Sequence, residues 1–182
     1  HRVMIVVGFK LEAIIERFPL ATFVYNELYD QTNTSKSLLK ALRASNDGGA
    51  LWLNGDVVFD PQVLARVAPL IEAGQSFVVV NTAKVSDEEV KYTLDETGNI
   101  NQLSKVVSPA LGEAVGINFV SGADKAALIS RLNEVADQDY FERGIELAIQ
   151  QDGLKFKPVD ISDLYAVEID FAEDLDRANE LF

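Results

Sequence analysis

The sequence predicts an α/β fold, with a mixed, mostly parallel sheet flanked by helices. Short β-branched runs read as buried strands, and they alternate along the chain with stretches whose apolar residues recur at helical spacing. A hairpin pattern near the middle adds antiparallel strands, which makes the sheet mixed. No linker, internal repeat or low-complexity segment divides the 182 residues, so the expectation is one domain over 1–182 with a sizeable core.

Residues 3–7 (VMIVV) form a short strand ended by Gly8. Residues 11–17 carry apolar side chains at 11, 14 and 15, a helical spacing, and Pro19 closes that segment. A short strand covers 22–25. Ser35 is the expected N-cap of a helix over 36–44, whose Leu38, Leu39 and Leu42 share one face. A loop at 46–49 leads to a strand over 50–53. Asp60 caps the next helix and Pro61 takes its first position; it runs to about Ala68, where Pro69 ends or kinks it. Residues 76–80 are another strand. Strands at 90–94 and 100–103 flank 95–99, where Thr97-Gly98-Asn99 reads as a hairpin turn. Residues 114–120 are a further apolar strand. Ser121 is the expected cap of a helix over about 123–135. A second helix covers about 140–151 and closes at Gly153. Short strands follow at 155–159 and 165–169. Asp170, with Glu173 three residues on, reads as a capping box for a last helix to 182.

Composition removes several function classes. The net charge is −13, from 16 basic and 29 acidic residues. No cluster of Lys and Arg is visible, so neither nucleic acid nor an anionic membrane is an expected partner. There is no cysteine, which excludes disulfides, thiolate metal sites and cysteine nucleophiles and fits a cytoplasmic location. The single histidine is His1, so neither a Ser-His-Asp triad nor a histidine zinc site is expected. No run of 18 apolar residues offers a membrane span, and residues 3–7 lack the cleavage site of a signal peptide. An acidic protein that handles phosphates needs metal cations and a few well-placed lysines.

The most informative stretch is 50–61, ALWLNGDVVFDP. An apolar strand stops at Asn54-Gly55, and the lone carboxylate Asp56 follows. In an open parallel sheet, ligands bind beyond the carboxyl ends of the strands. Asp56 is placed there either as a hard-oxygen ligand for Mg²⁺ or as the cap of a turn. Asp170 has two readings as well: a second Mg²⁺ ligand, or an ordinary helix cap, which its neighbours favour. Thr32-Asn33-Thr34-Ser35 is a polar loop before a helix, able to read a base edge or hold an anion, or simply a cap. Lys105 offers a point charge to a phosphate or is a surface lysine. Glu113 accepts hydrogen bonds from substrate hydroxyls or is a solvated charge at a strand end. Trp52, Phe23, Phe59, Phe77 and Phe119 fall on apolar segments and read as core. Neither G-x-G-x-x-G nor a P-loop sequence occurs.

Five motifs occur in order. They are Ile5–Phe9 (IVVGF); Tyr25-Asn26-Glu27-Leu28-Tyr29, with Thr32-Asn33-Thr34 and Ser37-Leu38; Asn54-Gly55-Asp56; Gly112-Glu113-Ala114-Val115-Gly116-Ile117; and Glu168-Ile169-Asp170, with Glu173-Asp174-Leu175. Together they resemble the nucleotidyltransferase family that couples a nucleoside triphosphate to a phosphorylated alcohol or sugar. The closest likeness is to its cytidylyltransferase branch, which includes phosphocholine and inositol-1-phosphate cytidylyltransferases.

The resemblance implies a Rossmann-like nucleotidyltransferase domain. It implies Mg²⁺ on Asp56 and Asp170, base contacts from Asn33 and Ser37, and acceptor contacts from Lys105 and Glu113. The implied partners are a nucleoside triphosphate, with CTP favoured, and a phosphorylated small molecule. The oligomeric state stays open. Family members begin with a strand, a G-x-G-x-R loop that wraps the triphosphate, and a P-K pair. The expectation is that this chain lacks that first strand–loop–helix segment and cannot turn over alone; a G-x-G-x-R…P-K segment encoded upstream of His1 would settle the class. Two other functions stay open. One is a non-catalytic domain that binds nucleotides or sugar phosphates. The other is a glycosyltransferase, although Asn54-Gly55-Asp56 lacks one carboxylate of the D-x-D pattern.

Overall fold

A computed structural model describes residues 3–83, 85, 86 and 89–180. In chain order the elements are β1 (Met4–Val7), α1 (Leu11–Arg17), β2 (Thr22–Tyr25), α2 (Thr34–Ala44), β3 (Ala50–Leu53), β4 (Val57–Phe59), α3 (Gln62–Glu72) and β5 (Phe77–Asn81). They continue with β6 (Lys91–Leu94), β7 (Ile100–Ser104), β8 (Gly112–Val120), α4 (Lys125–Glu134), α5 (Phe141–Asp152), β9 (Lys157–Asp160), β10 (Ala166–Glu168) and α6 (Ala172–Glu180). The expected end of the last helix at 182 lies outside the described residues. Among these residues no helix is long and apolar enough to cross a membrane. The chain forms two compact units, one of His1–Gly48 with Gly122–Leu154, the other of Gly49–Ser121 with Lys155–Phe182.

In the first unit β1 and β2 pair in parallel, and α1 supplies the crossover that parallel neighbours require. A Cβ on Gly8 would fall 2.4 Å from the Tyr29 side chain, so only glycine lets the chain pass that ring. The helices bury stripes at helical spacing: Leu38, Leu39 and Leu42 on α2, Leu128 and Leu132 on α4, Ile145 and Ala148 on α5. Lysines close helix ends. The Lys36 ammonium donates to the Leu132 and Val135 carbonyls at 3.1 and 2.6 Å, where a cation suits the helix dipole. Lys125 donates to Ser45 Oγ and to the Asn46 carbonyl.

Two expected caps are corrected. Asn33, not Ser35, caps α2: its Oδ1 accepts the Thr34 N–H at 2.7 Å, and Ser35 is buried in the first turn. Asp124, not Ser121, precedes α4; the Ser121 N–H instead donates to Ser76 Oγ at 3.0 Å.

The second unit holds a six-stranded sheet in the order β7-β6-β8-β5-β9, with β3 also paired to β8. The expectation of a mostly parallel sheet is overturned. β8 runs antiparallel to β3, β5 and β6, and β6 to β7; only β5 and β9 are parallel. The short ladder of β4 and β10 is antiparallel too. The reason lies in β8. β3 and β5 run the same way and are joined through α3, as in a parallel unit, but β8 lies between them and occupies the edges they would otherwise share. Alternation of strands and helices reports how strands are connected, not which ones become neighbours.

One face of this sheet carries the core: Val63 and Val67 of α3 pack with Phe77, Val79, Ile117, Phe119, Val159 and Ile161. The Phe77 and Phe119 rings stack with centroids 5.6 Å apart. Pro61, expected at the first helical position, stands at the cap position of α3, and Asp60, the expected cap, lies one residue before it with its Oδ1 accepting the Gln62 N–H at 2.8 Å. The helix does not stop at Ala68. It continues through Pro69 to Glu72, because Leu70 and Ile71 pack on that core and offset the hydrogen bond that proline removes. The hairpin turn is as expected: Asp95 Oδ1 accepts from the Thr97 and Asn99 N–H groups at 2.8 and 3.0 Å.

Candidate functional site

β8 changes partners along one edge, from β6 at Gly112 and Glu113 to β3 at 117–120, and its register with β5 shifts between Val78 and Val80. Gly116 sits at that break with φ +73°, a conformation that L side chains rarely adopt. Its carbonyl accepts the Asn54 N–H at 2.9 Å, and a Cβ there would fall 2.7 Å from the Asn54 amide. The turn Asn54-Gly55-Asp56 is thus clamped to the break in β8. Asp56 then leads into β4. Its carbonyl accepts the Ile169 N–H at 2.9 Å, and Val57 stands opposite Glu168 in the ladder. This pairing brings exposed Asp56 and Asp170, distant in sequence, to the same end of the β4–β10 ladder.

Asp170 is not the centre of the expected capping box. Asp174 takes that role, its Oδ2 accepting the N–H groups of Asp170 and Phe171 at 3.1 and 2.8 Å. Glu173 is one position out of phase for the same bonds.

Two further carboxyls crowd this end. Burial, then the charges of Glu89, Asp56 and Asp170, push half-buried Glu168 up to about 7. Glu89 is raised as well, by burial first and then by Glu113, while its hydrogen bond with Glu168 and the Lys105 charge pull it back. Asp170 thus acts on both Glu89 and Glu168, Asp56 on Glu168, and Glu113 and Lys105 on Glu89, all within the second unit. Glu113 is also held through its Oε2, which accepts the Ser86 N–H at 3.0 Å. Lys105 lines a cavity of about 450 Å³ together with Lys91 and Ser108. Lys91 donates to the Lys105 carbonyl at 3.0 Å.

Asn33 and Ser37 lie in the first unit. Asn33 uses its side-chain oxygen on the Thr34 N–H. Ser37 Oγ accepts from Asn26 Nδ2 at 3.1 Å, and the same amide donates to Thr32 Oγ1 at 3.1 Å. Asn26, only 1% exposed, thus holds both hydroxyls, a role that sequence reasoning missed although the residue stands in a quoted motif. Glu168 was legible as an acid within an apolar strand, YAVEI. Glu89 sits in the polar run SDEE and carries no such signal.

The donor set suits a hard divalent cation. Two aspartate carboxylates share a ladder end where burial first, and then their own charges and that of Glu89, raise the neighbouring Glu168. Among the described residues no group of three or more His, Asp or Glu side chains is arranged to hold a metal ion. Mg²⁺ ordinarily takes one or two carboxylates and leaves the rest to water and phosphate.

The sign of the Glu168 shift gives a test on the metal-free chain. A carboxyl raised by folding contributes stability that is full below about 4.5 and is lost as pH rises through about 7. Glu168→Gln is expected to abolish that loss. In EDTA at about pH 8 the variant should be the more stable by about 1 kcal/mol, allowing for solvent screening at a half-buried position. Urea midpoints of the pair at about pH 5 and pH 8 measure it; an unchanged difference between the two pH values is the contrary result.

No family model matches the sequence, and no curated protein does. Solved structures match along nearly all of it. The inositol-1-phosphate CTP transferase from T. maritima aligns with TM-score 0.78 at 16% identity, covering 99% of this chain and 75% of that one. A putative glucose-1-phosphate thymidylyltransferase from Bacillus anthracis aligns with TM-score 0.74 at 14% identity, covering 98% and 74%. The CTP:phosphocholine cytidylyltransferase from Streptococcus pneumoniae aligns with TM-score 0.72 at 14% identity, covering 99% and 78%. The α/β fold with its mixed sheet is therefore structurally similar to that of sugar- and polyol-phosphate nucleotidyltransferases.

Proposed function

We propose that residues 1–182 are one nucleotidyltransferase-like domain of a Mg²⁺-dependent enzyme. It transfers a nucleotidyl group, CMP in the first instance, from a nucleoside triphosphate to a phosphorylated alcohol or sugar and releases pyrophosphate. The observation that supports this best is the meeting of Asp56 and Asp170 at one end of the β4–β10 ladder, within a fold similar to that of nucleotidyltransferases. The cytidylyltransferases among the similar structures favour cytosine as the base.

In this reading an oxygen of the acceptor phosphate attacks the α-phosphorus in line. One P–O bond forms there, and the bond from the α-phosphorus to the bridging oxygen breaks. The leaving pyrophosphate carries away the electron pair. The acceptor phosphate is already ionised near neutrality, so no general base is required, in keeping with a chain whose histidine is His1 alone. The protein positions the groups and offsets their charge. Asp56 and Asp170 hold the cation. Lys105 meets the acceptor phosphate as a point charge, and Glu113 accepts from acceptor hydroxyls. Asn33 and Ser37 contact the base, Ser37 Oγ being held by Asn26. Mg²⁺ supplies Lewis-acid neutralisation of the reacting phosphates when bound.

The test is Mg²⁺-dependent pyrophosphate release from CTP and a phosphorylated alcohol. Release that needs both substrates supports the reading. Binding of nucleotide without release reduces it to a non-catalytic binding domain, and transfer from a nucleotide sugar would assign a glycosyltransferase.

A further inference from the structure

We propose that a hydrogen-bonded clasp on the connection 161–165, built from Asp160, Thr82, Ser162 and the Arg66–Asp163 pair, sets where β10 lies and so places Asp170 at the ladder end it shares with Asp56. That these two aspartates take Mg²⁺ rests on the reaction proposed above; the clasp's hold on the β4–β10 ladder rests on its own bonds.

The ladder needs outside support. Both strands have 3 residues, and each of those residues is only half-buried. Pairing so short is marginal by itself. The bonds that flank it run from the Asp60 N–H to the Tyr165 carbonyl and from the Ile169 N–H to the Asp56 carbonyl, each 2.9 Å. A shift of the chain at Tyr165 therefore carries along β10 to Asp170.

The clasp fixes that chain from β5, β9 and α3. β5 and β9 run parallel and end at Asn81 and Asp160. The Asp160 carboxylate accepts on both oxygens: Oδ1 from the Ser162 N–H at 2.9 Å and from the Ser162 hydroxyl, Oδ2 from the Thr82 hydroxyl at 3.1 Å. The Thr82 N–H donates in turn to Ser162 Oγ at 2.8 Å. From α3, Arg66 grips Asp163 with two nitrogens, at 2.6 and 2.7 Å, and donates to the Asp160 carbonyl at 2.8 Å. Two-point pairing of a planar guanidinium fixes direction as well as distance. Thr82, Asp160 and Asp163 are exposed. Exposed ion pairs add little to global stability, so the main effect of the clasp falls on the position of the chain it holds.

Amide hydrogen exchange of the 182-residue chain in EDTA reads that position with no metal present. Thr82→Val removes one hydroxyl at an exposed site and changes no charge. It should speed exchange at the Ile169 and Asp60 amides about fivefold, the net worth of one hydrogen bond. The Lys157 and Ile100 amides, bonded to the Ser76 and Phe156 carbonyls near the start of β9, should keep their rates. Thr82→Ser retains the hydroxyl and should restore the parental pattern. In calorimetric titration with Mg²⁺ alone, Thr82→Val should weaken binding about fivefold as well. Arg66→Gln separates placement from charge: deleting a cation would by itself tighten Mg²⁺ binding, whereas a lost clasp weakens it. Unchanged exchange at Ile169 and Asp60, equal acceleration at Lys157 and Ile100, or tighter Mg²⁺ binding by Arg66→Gln overturns the proposal. A parent chain that binds no Mg²⁺ while the exchange pattern shifts as expected sinks the metal reading and leaves the clasp standing.

Discussion

Asp56→Ala or Asp170→Ala is expected to lower turnover of the intact protein by about 100- to 1,000-fold or more, the usual cost of deleting one element of transition-state charge stabilisation. The fold should survive. Both side chains are exposed, and the backbone groups that pin them, the Asp56 carbonyl and the Asp170 N–H, do not depend on their carboxylates. Metal-free stability should not fall. Each aspartate raises its neighbour Glu168 by repulsion, so removing one relieves strain on the ladder end. What should disappear is the rise in Tm produced by Mg²⁺, because the cation loses a ligand. A structural cap would behave in the reverse way, with a lower Tm in EDTA and intact turnover. Near-normal turnover of Asp56→Ala would end the metal assignment.

Gly116→Val should be the most damaging substitution outside the core. A β-branched residue at φ +73° is strained, and its Cβ would meet the Asn54 amide at 2.7 Å. The two effects together are worth about 3 kcal/mol, or roughly 10 °C in Tm for a chain of this size. The loss reaches beyond stability, since the Gly116 carbonyl anchors Asn54 and so fixes where Asp56 begins β4. Mg²⁺ should therefore stabilise the variant less than the parent. Gly55→Ala is the control: nothing lies within 4 Å of a Cβ there, and the substitution should leave Tm within about 2 °C. Thermal melts of both, with and without Mg²⁺, decide the matter; equal effects at the two glycines would show that the β8 break does not hold the motif.

The contrast between these glycines marks the limit of reading the chain alone. Gly55 stands beside the aspartate and draws attention in the sequence. Gly116 lies within an apolar strand and looks like a weak point in it, and only the partner change along β8 explains it. The caps follow the same logic. Asn33, Ser35, Glu173 and Asp174 are all competent capping residues, and the choice among them turns on backbone geometry within a single turn. Asn26 is an ordinary loop asparagine until Thr32 and Ser37 are seen to converge on it.

By itself the sequence determined the α/β class, the succession of elements, the hairpin at 95–99, the glycine that ends α5 and the acidic, cysteine-free character that narrows the chemistry. These follow from propensity and periodicity, which act over a few neighbouring residues. Tertiary structure alone decided that β8 runs antiparallel between β3 and β5, that Asp56 and Asp170 reach one ladder end, and that burial and neighbouring acids push Glu168 up. Strand direction, convergence of distant carboxylates and a shifted pKa are set by partners far away in the chain, and those partners exist only once the sheet has closed around them.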